Sequence, residues 1–133
     1  MSVRFNHTIV HGRDKRASTA FLTELLGLPA PRPFGHFLVV ELANGVSLDF
    51  IDAGDTEVAS RHYAFLVDED DFDAIFARIR TRGLAYWADP FKKQPGEITH
   101  HDGGRGVYFD DPDGHLLEII TRPYGSGAAS AST

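Results

Sequence analysis

Side chains alternate from residue 5 to 11, with Phe5, His7, Ile9 and His11 on one face and Asn6, Thr8 and Val10 on the other. That period of two predicts a half-buried strand. The period then lengthens. Over residues 13–26, Ala17, Phe21, Leu22 and Leu25 recur at helical spacing, with Asp14 as N-cap and Gly27 placed to end the helix in the left-handed conformation. Residues 37–42 and 46–51 flank Ala43-Asn44-Gly45, a hairpin signature. The first half thus reads as strand, helix, then two or three strands.

The same order returns. Residues 63–67 form a strand, and 70–82 a helix with Phe72, Ile75, Phe76 and Ile79 on its buried side. Asp68, Glu69, Asp70 and Asp71 crowd its N-terminus and Arg78, Arg80 and Arg82 its C-terminal turn, complementing the helix dipole before Gly83. Strands follow near 85–87, 106–109 and 116–121.

The halves are in register. His7 and His62 each open a strand and lie 55 positions apart, while Asp49 and Glu118, each in a strand after a turn dipeptide (Asn44-Gly45, Asp113-Gly114), lie 69 apart. The second half therefore holds about 14 extra residues, and the Pro- and Gly-rich segment 88–104 is the place for them. One domain over residues 1–124 is expected, with modules at about 3–54 and 60–123 and a disordered tail at 125–133.

Glu118 lies within Leu116-Leu117-Glu118-Ile119-Ile120, where a carboxylate needs compensation. An arginine could supply it. The repeat points instead to a divalent ion held by His7, His62 and Glu118, with Asp49 as a fourth ligand or a supporting group. Two imidazoles and a carboxylate leave the ion a net positive charge and open positions, a catalytic rather than structural set.

With 133 residues, 42% hydrophobic and 24% charged, the chain is long enough for an ordinary globular core. A net charge of −6 and dispersed Lys and Arg argue against nucleic acid. No apolar run is long enough for a membrane span and no signal peptide is evident, so a cytoplasmic location is expected. The absence of cysteine restricts any metal to nitrogen and oxygen ligands.

These residues resemble the vicinal oxygen chelate superfamily, which includes glyoxalase I, fosfomycin- and bleomycin-resistance proteins and extradiol dioxygenases. The carriers are Asn6-His7-Thr8, Arg61-His62-Tyr63 and the run from Tyr108 through Asp111-Pro112-Asp113-Gly114-His115 to Glu118. The resemblance implies an α+β fold of paired βαβββ modules forming a curved mixed sheet around a central metal site. Relative to glyoxalase I, Asp49 replaces a Glu; relative to the fosfomycin enzymes, Ile9 replaces a Thr.

The extradiol pattern matches at Thr99-His100-His101, Val107-Tyr108, Asp111 to Gly114 and Glu118. It implies that His101 handles protons, that Tyr108 hydrogen-bonds the substrate, and that the ion is Fe(II), with Mn, Ni or Zn as alternatives. A solvent histidine and a packed strand tyrosine are the ordinary readings of those two positions. The implied activity is oxygen-dependent ring cleavage of a small catechol-like substrate. The alternatives are a glyoxalase-like lyase or isomerase and a bleomycin-resistance-type binding protein, and the implied assembly is a homodimer. Trp87, Phe91 and Phe109 are candidate pocket walls, and His115 receives no role.

Overall fold

The computed structural model describes residues 1–127. The chain forms two compact units divided between Ala59 and Ser60.

The first unit runs β1 (His7–Gly12), α1 (Lys15–Leu26), β2 (Arg32–Phe34), β3 (Phe37–Glu41) and β4 (Ser47–Asp52). Its sheet has the order β1-β4-β3-β2, with β1 parallel to β4 and the other pairs antiparallel. The Asp14 carboxylate accepts from the backbone N–H groups of Arg16 and Ala17, as an N-cap should. Gly27, at φ 70°, supplies the left-handed C-cap, and both it and Leu28 donate to the Thr23 carbonyl. Thr19 and Thr23 are buried in α1 because each hydroxyl donates back to the carbonyl four residues earlier, at 2.8 Å.

β1 starts two residues later than the alternation suggests, because its ladder begins only where β4 does, at His7 opposite Ser47. Val10, Val40, Leu48 and Phe50 are buried on one face together with Leu22 and Leu25 of α1. Strand alternation puts His7, Ile9, His11, Val39 and Asp49 on the other face.

The second unit repeats the order: β5 (His62–Leu66), α2 (Glu69–Thr81), β6 (Tyr86–Trp87), β7 (Gly106–Asp110) and β8 (Leu116–Ile120). The sheet order is β5-β8-β7-β6, again with one parallel pair, β5 with β8. The expected charges sit at both ends of α2, with Glu69, Asp70 and Asp71 in the first turn and Arg78 and Arg80 in the last. Phe72, Ile75 and Ile79 are buried, as are Phe65, Val107, Phe109, Leu117 and Ile119 of the sheet. Phe76 meets the Tyr86 ring edge-on at 5.1 Å. Arg105 fastens the start of the helix to the sheet: its guanidinium lies 4.4 Å from the Phe72 ring centre and donates to Glu69 and Asp73, both at 2.8 Å. Hydrogen bonds from Thr121 and Arg105 hold the Glu69 carboxyl below its usual range.

The extra residues fall where expected. Gly35 and His36 alone join β2 to β3, whereas residues 88–105 join β6 to β7. That loop has structure of its own: the Asp89 carboxylate accepts from the backbone of Phe91, Lys93 and Gln94, and bridges join Trp87 to Pro95 and Thr99 to Gly106. The expected tail is ordered at its start, since Gly125 and Gly127 donate to the Asp102 carboxylate at 3.0 and 3.1 Å. Residues 128–133 lie outside the described residues. No helix among the described residues is long and apolar enough to cross a membrane.

Candidate functional site

The ladders align the halves as the offsets suggest. His7 pairs with Ser47 and Asp49 follows two residues later; His62 pairs with Leu116 and Glu118 follows two residues later. Each imidazole and carboxylate therefore share one face of adjacent parallel strands. Tyr108 is directly opposite Glu118 on β7 and joins that face.

In the second unit this register produces contact. His62 Nε2 lies 3.1 Å from Glu118 Oε1, and the Tyr108 ring stacks beside the imidazole at 5.9 Å. Glu118 is fully buried, while the His62 side chain is 47% exposed. The compensating partner is thus not an arginine. Oε1 faces His62, and Oε2 accepts from the Tyr124 hydroxyl.

The proton positions follow from the partners. His62 Nδ1 is 2.9 Å from the Leu116 carbonyl, which can only accept, so Nδ1 carries the proton and the neutral ring has its lone pair on Nε2. That lone pair points at a carboxylate oxygen. Two acceptors at 3.1 Å require a positive species, either a proton or a cation. Two ligands about 2.1 Å from one ion and roughly at right angles would be about 3 Å apart, so the pair fits two neighbouring positions of a divalent ion.

His7 is prepared in the same tautomer by a different partner. Its Nδ1 donates to the Asn6 side-chain oxygen at 2.7 Å, which leaves the lone pair on Nε2. It lines a cavity of about 350 Å³ together with Arg32, Phe34, Phe37, Ser47 and Asp49. Asp49 does not reproduce Glu118: where the second unit has Leu116, the first has Ser47, whose hydroxyl donates to Asp49 Oδ1 at 2.9 Å. His7 and Asp49 belong to the first unit, and His62, Tyr108 and Glu118 to the second.

His101 opens an exposed 3-10 turn, His101–Gly103, and its carbonyl accepts from Gly104 N–H at 2.9 Å. Of the proposed pocket walls, Phe109 is excluded. It alternates with Tyr108, is fully buried and faces the α2 side of the sheet. Phe91 is 78% exposed. Trp87 pairs with Tyr108 on the site face, where Lys92 lies 4.7 Å from its ring centre and pairs with Asp110 at 2.6 Å.

Sequence reasoning missed two residues. The first is Tyr124, whose hydroxyl donates to Glu118 and stands 2.8 Å from the Tyr108 hydroxyl. Since its proton goes to Glu118, Tyr108 is the donor between the two phenols. Burial, then the hydrogen bond to Glu118, pushes the Tyr124 phenol well above its usual range; burial likewise raises that of Tyr108. The sequence offers only an aromatic six positions beyond a carboxylate that needed a partner, with nothing local to fold it back.

The second is His115, 1% exposed, whose Nδ1 accepts from the Arg61 backbone N–H at 3.0 Å. This bond, with Ser60 Oγ to the Gly114 carbonyl at 2.7 Å, ties the entry of β5 to the hairpin turn and so seats His62. The ligand atoms of Asp111, Asp113 and His115 lie within 4.8 Å of one another, a geometry that could hold an ion. Their hydrogen bonds assign them to the turn instead. Asp111 Oδ1 accepts from the N–H groups of Asp113 and His115, and the occupied Nδ1 puts the His115 proton on Nε2, which then offers a donor rather than a lone pair. Burial pushes the Asp111 carboxyl up.

The profile of the glyoxalase/bleomycin resistance protein/dioxygenase superfamily matches residues 4–119. The chain belongs to that superfamily. Among solved structures, those of the oxidases ChaP-H2 and ChaP-H1 superpose on this superfamily member with TM-scores of 0.92 and 0.91 at 59% and 60% identity. They cover 96% and 93% of this chain and 100% and 99% of their own. The glutathione transferase FosA of Serratia marcescens is 31% identical over 121 residues, 86% of this chain and 77% of that protein. The superfamily fold therefore accounts for the repeated modules.

Proposed function

We propose that this superfamily member is a divalent-metal-dependent, oxygen-using enzyme acting on a small aromatic substrate with adjacent oxygens, with cleavage of a catechol-like ring as the favoured reaction. One observation carries the metal: His62 Nε2 and the buried Glu118 Oε1 face each other at 3.1 Å, a spacing that two ligands of one ion would have. The likeness to two oxidases at 59% and 60% identity supports the oxygen chemistry.

His62 and Glu118, together with His7, would hold the ion, Fe(II) being favoured over Mn, Ni or Zn. An ion held there would supply Lewis acidity that stabilises negative charge developing on adjacent substrate oxygens. Tyr108, beside His62, would accept a hydrogen bond from a substrate hydroxyl, and His101 would carry a proton. A homodimer belongs to the same proposal, supported by exposed large apolar residues on the strand faces that carry the histidines: Ile9 at 45% and Leu66 at 61%.

Anaerobic loading with Fe(II), then elemental analysis and oxygen uptake with a panel of catechols, tests the reading. The expected result is about one ion per site and uptake that depends on iron, His62 and Glu118. Metal binding without uptake, but with isomerisation of a thiol hemiacetal or glutathione transfer, would replace the oxidase reading with the glyoxalase or transferase one. Equal, negligible metal in wild type and Glu118→Ala would leave a binding protein.

A further inference from the structure

Beyond the matched residues 4–119, the chain continues into a short strap that returns to the site. Its anchor is Asp102, which has a left-handed backbone (φ 57°) within the His101–Gly103 turn. Asp102 Oδ2 accepts from Gly125 N–H and Oδ1 from Gly127 N–H. Gly127 packs so closely that a Cβ there would lie 2.7 Å from Asp102 Cα, so any larger residue would push the strap and the turn apart. Arg122 adds bonds to Ser126 at 3.4 and 3.5 Å. Between these ties stands Tyr124.

The strap delivers one phenol to one atom. Glu118 has two carboxylate oxygens: Oε1 faces His62 Nε2, and Oε2 accepts from Tyr124, which in turn accepts from Tyr108. A carboxylate can bind a divalent ion through one oxygen or two. With Oε2 engaged by the phenol, only Oε1 is presented beside His62.

We infer that Tyr124, held by Asp102, is a positioning residue that keeps Glu118 a one-oxygen ligand and so preserves an open coordination position for substrate or oxygen. The inference rests on the metal reading above. Residues that orient a ligand in this way typically change metal affinity about 10- to 100-fold when removed. Tyr124 acts through Glu118. The same anchor ties its placement to the turn that carries His101.

The test uses Co(II) as the probe, with the full-length protein titrated anaerobically and its visible ligand-field bands recorded alongside the dissociation constant. Wild type, Tyr124→Phe, Asp102→Ala and His62→Ala are compared, with melting curves to check that each is folded. Tyr124→Phe is expected to weaken binding about 10-fold and to lower the band intensity, as Oε2 joins the ion and raises its coordination number. Asp102→Ala, which keeps the Tyr124 side chain but removes the anchor of its segment, is expected to move both readouts the same way by a smaller amount. If His62→Ala loses Co(II) while Tyr124→Phe and Asp102→Ala match wild type in both affinity and spectrum, the inference falls and the metal reading stands. If wild type binds no Co(II), both fall.

Discussion

His62 and Glu118 lie 56 positions apart in the chain, and their Nε2 and Oε1 atoms meet at 3.1 Å while Nδ1 faces the Leu116 carbonyl and Oε2 accepts from Tyr124. Glu118→Gln keeps the shape and replaces the anionic oxygen with a neutral amide. The expected outcome is a loss of bound Fe(II) greater than the roughly 100-fold that removing a supporting partner costs. Elemental analysis and calorimetric titration would show it, with the melting temperature little changed.

Replacing His115 tests stability rather than metal. His115→Ala leaves the Arg61 N–H without its acceptor, at an expected cost of about 1–3 kcal/mol in urea unfolding, and loosens the strand that seats His62. Asp113→Asn, by contrast, should leave metal content unchanged. A drop in metal content in Asp113→Asn, with His62 and Glu118 intact, would make the turn cluster the true ion site.

The Asp111 carboxyl gives a pH signature. Its folded value is raised by burial above the ordinary 3.8, so the folded state holds that proton more tightly than the unfolded chain. The stability linked to it is fully present below pH 3.8 and is lost as pH rises through the raised folded value. Asp111→Asn keeps an oxygen for the Asp113 and His115 N–H groups without that loss. Its stability relative to wild type should therefore improve as pH rises from acid toward neutral, as measured by urea unfolding across that range.

Phe72 is the counterpart in the core. It is fully buried, next to Ile75 and Ile79 on α2, with Arg105 over its ring. Phe72→Ala should cost about 3–5 kcal/mol by removing apolar contacts and leaving a cavity. Measured in denaturant, a loss below about 1 kcal/mol would mean that α2 does not pack as described.

Much of this was legible locally. Asp14, Gly27 and the Asn44-Gly45 turn follow from rules confined to a few neighbours, and the structure places each as expected. The pairing of His62 with Glu118 was legible because a strand's period of two makes register a matter of counting. Phe109 shows where counting was not carried through: it cannot share the site face with its neighbour Tyr108. Tyr124 was hidden for another reason. Its placement depends on Asp102, more than twenty positions earlier, adopting a left-handed turn that no local pattern announces. His115 receives no role from the sequence because its partner, the Arg61 backbone, carries no side-chain signal.

The two imidazoles reach the same tautomer by supports of unequal durability. His62 leans on a main-chain carbonyl, which every residue type at position 116 provides, whereas His7 depends on the side chain of Asn6. Substitution can drift freely at the first of these supports and at almost no cost to the ring. At the second, a single codon change removes the brace, so mutational tolerance should be lopsided, with position 6 among the least forgiving surface sites of the chain.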